Sequence, residues 1–244
     1  MTASRSPMGG ASVSDLLQAS AQLFAATVLK CLPLAMLAVL SAQLPNIYWI
    51  ATGHSIHGSA HHDGNFRLLA LLGTALELWL MAALMLRQRA AVLGAPILIV
   101  MELRAASRRL PAILGSTLLA TLSIAVGLLL LIAPGIFLLV CYLVLLPVVL
   151  FDGVGPYAAV RRSVQLIRPL WWKALAALVL ASLMFIIGAI LLASIMAAIE
   201  AVLAGGGPAL AAIETAGTVA FGALYFVYLS ALLLVLHSAA SSSA

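Results

Sequence analysis

Charge is what this sequence has least of. Only 8% of its 244 residues are Asp, Glu, Lys or Arg, against about 25% in soluble domains. The chain therefore lacks the groups needed to cover a water-facing surface. Its two cysteines provide no disulfide framework of the kind that staples small secreted folds. Cys31 and Cys141 both fall in apolar stretches and read as reduced packing residues. Aromatic residues are sparse, at 7%. The usual hydrolase and ATPase signals are missing, with no phosphate loop, no Gly-x-Ser-x-Gly and no His-Glu-x-x-His. What is present is apolar: 65% of the residues are hydrophobic, rich in Ala, Leu and Gly. That excludes disorder and makes the bilayer the natural solvent.

The formal net charge of +5 does not indicate a nucleic-acid partner, because the Lys and Arg residues flank hydrophobic segments and form no separate basic domain. Their expected partners are anionic lipid head groups. The first 14 residues are polar and small, and the apolar stretch behind them contains Lys30 and runs on into Leu44. It reads as an uncleaved first span. The Ser-Ala tail, Ser238 to Ala244, reads as a mobile end.

A spanning helix needs about 20 apolar residues to cross a hydrocarbon core of about 30 Å. Six stretches meet this. They are Lys30 to Ile50, Leu68 to Leu86, 112–132, 135–151, Lys173 to Glu200 and Glu214 to Leu236. No charge occurs between Arg109 and Asp152, which is too long for one helix, and Ala133-Pro134-Gly135 supplies the turn. Gly205-Gly206-Gly207-Pro208 supplies another. With the N-terminus in the cytoplasm, eleven Lys and Arg residues fall inside and only Arg67 outside. The positive-inside rule then places both termini in the cytoplasm.

Two inner segments have helical spacing of their own. In Pro156 to Arg168, the apolar residues Tyr157, Val160, Val164 and Ile167 oppose Arg161, Arg162, Gln165 and Arg168. Pro96 to Arg109 sets Ile97, Val100 and Met101 against Glu102, Arg104, Arg108 and Arg109. Ser14-Asp15 predicts a cap for a third such helix near the N-terminus. Helices of this kind lie in the interface with Arg side chains among phosphates. Pro96 and Pro156 are 60 residues apart, as are Arg108 and Arg168. The chain thus reads as one membrane domain, 1–244, of three parallel repeats covering 10–88, 94–152 and 155–238. Each would be an interfacial helix followed by a two-span hairpin, in an all-α integral membrane fold of six spans.

Several residues in the middle of the chain form a pattern. Ala133-Pro134-Gly135-Ile136-Phe137 is followed by Leu146-Pro147-Val148-Val149, Asp152-Gly153, Ala158-Ala159-Val160-Arg161-Arg162-Ser163 and Trp171-Trp172-Lys173. This resembles the signature of the YciC-like bacterial inner-membrane proteins. It is similar also to the membrane domain attached to some glycerophosphodiester phosphodiesterases. Pro169 stands where the pattern has Gly. The resemblance implies an inner-membrane location and carries no catalytic residues. The soluble phosphodiesterase domain has no counterpart here, so that activity does not transfer.

Among individual residues, Glu77 lies ten positions from both Arg67 and Arg87, hence near mid-membrane. An acidic side chain there costs about 2.5–3.5 kcal/mol on insertion scales and should face protein or water. Ala70, Gly73 and Thr74 share its helical face, and Thr121, Ser123 and Tyr225 are the expected partners. One reading is a proton or cation site. The other is a protonated Glu bonded to a neighbouring hydroxyl to aid assembly. His54, His57, His61, His62 and Asp63 have spacing that suits zinc, copper or nickel. Gly53, Gly58 and Gly64 favour a solvated polar loop instead, so no metal or other cofactor is expected. Pro33 and Pro147 would shape or kink their spans, and Trp171 and Trp172 sit where an interfacial belt belongs. Arg104, Arg108, Arg109, Arg161, Arg162, Arg168 and Lys173 are the expected head-group contacts.

The resulting expectation is a non-enzymatic inner-membrane protein that supports envelope organisation or other membrane components. The alternatives are a transporter or channel for a lipid or small apolar solute, or a membrane-embedded lipid-modifying enzyme. Partners would be membrane lipids and other membrane proteins. A bundle packed solid favours the first reading, and a central cavity favours the second.

Overall fold

The computed structural model describes residues 12–52, 64–95, 98–202 and 208–242, and all regular structure among them is helical. In order these are α1 (Val13–Ala42), α2 (Leu44–Ala51), α3 (Gly64–Leu93), α4 (Ile99–Leu130), α5 (Ile132–Cys141), α6 (Leu145–Pro147) with a π-helical turn at Val148–Asp152, α7 (Pro156–Ile167) with a 3₁₀ turn at Arg168–Leu170, α8 (Trp171–Val202) and α9 (Pro208–Ser242). Five stretches, α1, α3, α4, Pro156–Ile199 and Thr215–Ser242, are long and apolar enough to cross a membrane. A sixth forms if α5 and the α6–π segment, bent by 41°, count as one span. The chain is a multi-pass helical membrane protein.

The separate interfacial helices expected in the first two repeat units do not occur. The buried stripe of α1 runs through Leu16, Ser20, Thr27, Cys31, Leu34, Ala38 and Ser41 without breaking at Lys30. One face packs along the whole length, so one helix forms. It ends at Ala42, short of the expected Ile50, and α2 follows. Its cap is Ser12 rather than Ser14: Ser12 Oγ accepts from the Asp15 amide, and Asp15 returns a carboxylate to the Ser12 amide at 2.8 Å. Likewise α4 carries one stripe, Glu102, Ala106, Ile113, Ser116, Ala120 and Gly127, straight past Arg109 and Pro111. Only the third unit has a distinct helix, α7. Its buried face is Ala159, Ser163, Leu166 and Ile167, whereas Tyr157, placed in the apolar stripe by spacing, is exposed.

The centre is a three-helix contact. α1 packs most extensively on α9 and then on α3. Small residues allow it: Ala35 and Ala38 from α1, Ala82 and Ala83 from α3, and Ala223 and Ala231 from α9 are all buried. At Gly73 a Cβ would fall 2.7 Å from the Ser41 carbonyl oxygen, so only Gly lets α3 meet the end of α1 there. α9 runs to Ser242, with Ala239 and Ala240 buried, so residues 238–242 of the expected mobile end are helix. α8 is peripheral. It meets α9 through Phe185, which contacts Phe221, Tyr225 and Tyr228, and exposes Leu183, Ile187, Ile190 and Leu191 as a lipid-facing side chain row would.

α4 and α5 form a tight hairpin. Leu131 is the extended turn residue, and Pro134 sits in the first turn of α5, where its missing N–H costs nothing. A Cβ on Gly127 would lie 3.1 Å from Gly135 backbone, and one on Gly135 would lie 2.8 Å from the Leu128 nitrogen. The predicted turn at 133–135 is thus a helix start seated on the preceding helix. The glycine turn at 205–207 lies outside the described residues.

Candidate functional site

Most of the cationic residues gather at one end of the bundle, from the C-terminal part of α3 through α4 to α7. Two polar assemblies are built there. The first is buried. Arg87 of α3 donates from Nε to Glu102 Oε2 of α4 at 2.9 Å, and Nη2 lies 2.8 Å from the same oxygen as an ionic contact. Arg87 Nη1 donates to the Lys30 carbonyl of α1 at 2.9 Å, one turn before Pro33. Beside it Gln88 donates to the Val227 carbonyl of α9 at 3.0 Å. Four helices are tied at one level. Spacing had placed Arg87 as a flanking cation and Glu102 on an exposed polar face. Both are buried, because the short connection between α3 and α4 turns their adjoining ends toward each other.

The second assembly surrounds a cavity of about 550 Å³ lined from α1, α3, the π-helical turn, α7 and α9. Asp152 ends the π turn, where Gly153 takes the left-handed conformation at φ 68° that stops the helix. Arg162, ten residues on and on α7, pairs with the Asp152 carboxylate through Oδ2. His237 of α9 brings Nε2 to 3.4 Å from Oδ1, a contact too long to count as a good hydrogen bond. The Arg89 guanidinium lies over the Phe151 ring at 4.3 Å, and that ring is 6.1 Å from the imidazole of His237. Arg89 has no carboxylate partner among the described residues. The cavity wall also carries the Ser241 hydroxyl and the apolar side chains Leu23, Val92 and Leu234. One carboxylate set against two guanidiniums leaves the lining cationic, and it borders apolar surface.

The motif residues around these sites have local reasons to be there. The carbonyl of Cys141, left free where α5 ends and the chain bends, accepts from Ser163 Oγ at 2.6 Å. Arg109 Nη1 donates to the Gly153 carbonyl at 3.1 Å. Trp171 stacks on Phe137 and donates to its carbonyl at 3.2 Å. The segment 133–173 is therefore one interlocked unit.

The chain matches no family model, no curated protein and no solved structure.

The expected Glu77 cluster is not assembled. Glu77 is half-buried on α3 and makes no hydrogen bond among the described residues. Arg87–Glu102 and Trp79–Ser107 fix the antiparallel register of α3 against α4, which sets Glu77 level with about Leu110. Thr121 and Ser123 then lie more than ten residues further along, roughly 16 to 20 Å away on the axis. Gln88–Val227 sets Tyr225 level with about Leu86, roughly 13 Å from Glu77. Thr74 donates to the Ala70 carbonyl and Ser123 to the Leu119 carbonyl, each within its own helix. Tyr225 packs on Phe185 at 4.9 Å.

Of the expected head-group contacts, Arg104, Arg108, Arg161 and Arg168 are exposed. Arg109 and Arg162 are exposed too but committed to Gly153 and Asp152, and Lys173 is half-buried at the start of α8. His54, His57, His61, His62 and Asp63 lie outside the described residues, and no three His, Cys, Asp or Glu elsewhere among the described residues could hold a metal ion. Sequence reasoning passed over His237 and Arg89 as site residues. A histidine closing an apolar span is the signal that points to His237, yet its partner Asp152 lies 85 residues upstream.

Proposed function

We propose that this chain is a non-enzymatic, YciC-like protein of the bacterial inner membrane, with both termini in the cytoplasm, that holds anionic lipid at its basic end and so supports membrane organisation. The observation that carries this is the contrast between the two parts of the bundle. Where α1, α3 and α9 meet, Ala35, Ala38, Leu80, Leu84, Ala223 and Val227 pack together and are nearly all fully buried. At the basic end, α4 and α7 carry exposed guanidiniums, and the cavity there is cationic. A filled centre supports a binding role over a transport path, and clustered cations at an interface are suited to phosphates.

The test is the lipid content of the detergent-purified protein. Phosphatidylglycerol and cardiolipin are expected at a mole fraction several-fold above that of the source membrane. A copurified pool with the bulk composition would overturn the proposal.

A further inference from the structure

We infer that the 550 Å³ cavity at the basic end is a discrete site for one anionic glycerophospholipid, its phosphate against Arg89 and its first acyl carbons along Leu23, Val92 and Leu234. The inference rests on the lipid-holding role above and gives it an address. Four observations carry it.

First, the size is right, since sites for small molecules run from about 300 to 1,000 Å³. Second, the charges are divided. Arg162 is spent on Asp152, and that carboxylate is also approached by His237. Arg89 alone brings an uncommitted guanidinium to the wall, held in place by the face of Phe151. A guanidinium fixed on an aromatic ring and lacking a carboxylate suits the paired oxygens of a phosphate. Third, a hydroxyl accompanies it. Ser241 lines the same wall, one helical turn past His237, and its hydroxyl has no partner among the described residues. Fourth, apart from Ser238 the remaining wall is aliphatic, from three different helices. A free phosphate would leave that surface against water, whereas an acylated one covers it. Asp152 would repel an anion, and the salt bridge to Arg162 offsets that charge. The site therefore differs from the exposed guanidiniums of Arg104, Arg108, Arg161 and Arg168, where any anionic surface can make contact.

The experiment uses the full chain in a neutral detergent, with phosphatidylglycerol, phosphatidylcholine, glycerol 3-phosphate and inorganic phosphate as probes. Native mass spectrometry reads stoichiometry and thermal unfolding reads affinity. One phosphatidylglycerol per chain is expected, with phosphatidylcholine and both soluble phosphates at least tenfold weaker. R89Q should weaken the lipid by about tenfold or more, the loss of one charged hydrogen-bonding partner. V92W, which fills the cavity, should remove the bound lipid, while R67Q, near the opposite end of α3, should leave it. V92W that unfolds leaves R89Q as the deciding variant, since Arg89 is exposed and its contact outside α3 is with the Phe151 ring.

Phosphatidylglycerol retained equally by wild type, R89Q and V92W would overturn the cavity assignment while leaving general lipid enrichment standing. Glycerol 3-phosphate or inorganic phosphate binding as tightly as the lipid would also overturn it, in favour of a soluble anion. No enrichment of anionic lipid on the wild type would remove the broader role and this one together.

Discussion

Arg87 and Glu102 form an ion pair between α3 and α4 whose side chains are only 4% and 9% exposed. Such a pair needs its geometry, because two charges taken out of water are repaid only by close contact and further hydrogen bonds. Arg87 meets that need by also donating to the Lys30 carbonyl, which brings in α1. Glu102 is less well supplied, with Oε1 buried and unpartnered among the described residues. The pair therefore specifies which helices meet more than it adds net stability.

It follows that removing one partner should be costlier than removing both. E102A leaves a buried guanidinium and should destabilise the protein by about 3–5 kcal/mol. The double variant R87M/E102L, apolar and similar in bulk, should recover most of that loss. Thermal or denaturant unfolding in detergent reads both. A double variant destabilised as much as E102A or more would show that an unpaired buried guanidinium is not what makes the single change costly.

The α4–α5 hairpin depends on a missing side chain. A Cβ on Gly135 would come within 2.8 Å of the Leu128 backbone nitrogen, an atom that cannot rotate away. G135A should cost about 1–3 kcal/mol, the scale of overpacking, and G135L should cost more. Gly155 has nothing within 4 Å of its would-be Cβ, so G155A is the control and should lower the melting temperature much less. Matching melting curves for G135A and G155A would sink this account of the turn.

Ser163 is buried and its hydroxyl is the partner of the Cys141 carbonyl. S163A leaves that carbonyl unpaired beside the 41° bend and should cost about 1–3 kcal/mol. S194A is the comparison, because Ser194 is exposed and only bonds back to Ile190 in its own helix. Its melting temperature should barely move. An S163A variant as stable as wild type would mean that the bend satisfies its carbonyl in another way.

What was legible in the sequence was set by local physics. Long apolar runs between Arg residues give spanning helices whatever they pack against, and the Ala133-Pro134-Gly135 break lies where α5 begins. The amphipathic spacing of Pro156 to Arg168 likewise marks α7, though its buried face is rotated from Tyr157 toward Ala159 and Ser163. Helix continuity was less visible. A charge at Lys30 or Arg109 looks like a membrane boundary, but a helix stops only where packing or a backbone break stops it, and the buried stripes run on. The polar sites were least visible. Asp152 meets His237 across 85 positions, and Glu77 loses its expected hydroxyls because helix register, which no single segment encodes, sets Thr121, Ser123 and Tyr225 at other depths.

Glu77 provides the sharpest test of that register. If it aided assembly through a hydroxyl, both removal of its charge and removal of its hydrogen-bonding capacity would register in stability, the second more strongly. The structure offers it no such bond among the described residues, and the nearest helical neighbour with a hydroxyl, Thr74, is satisfied by Ala70 at 2.9 Å. An acidic side chain near the centre of a span instead carries a standing insertion cost of about 2.5–3.5 kcal/mol. E77L should therefore melt no lower than wild type and insert more efficiently, and E77Q should match wild type. Unfolding in detergent and a membrane-integration assay read the two quantities. If E77L were destabilised by more than about 1 kcal/mol, the side chain would have a partner that this register denies it. Stability that survives both changes would show that assembly has no need of the carboxylate.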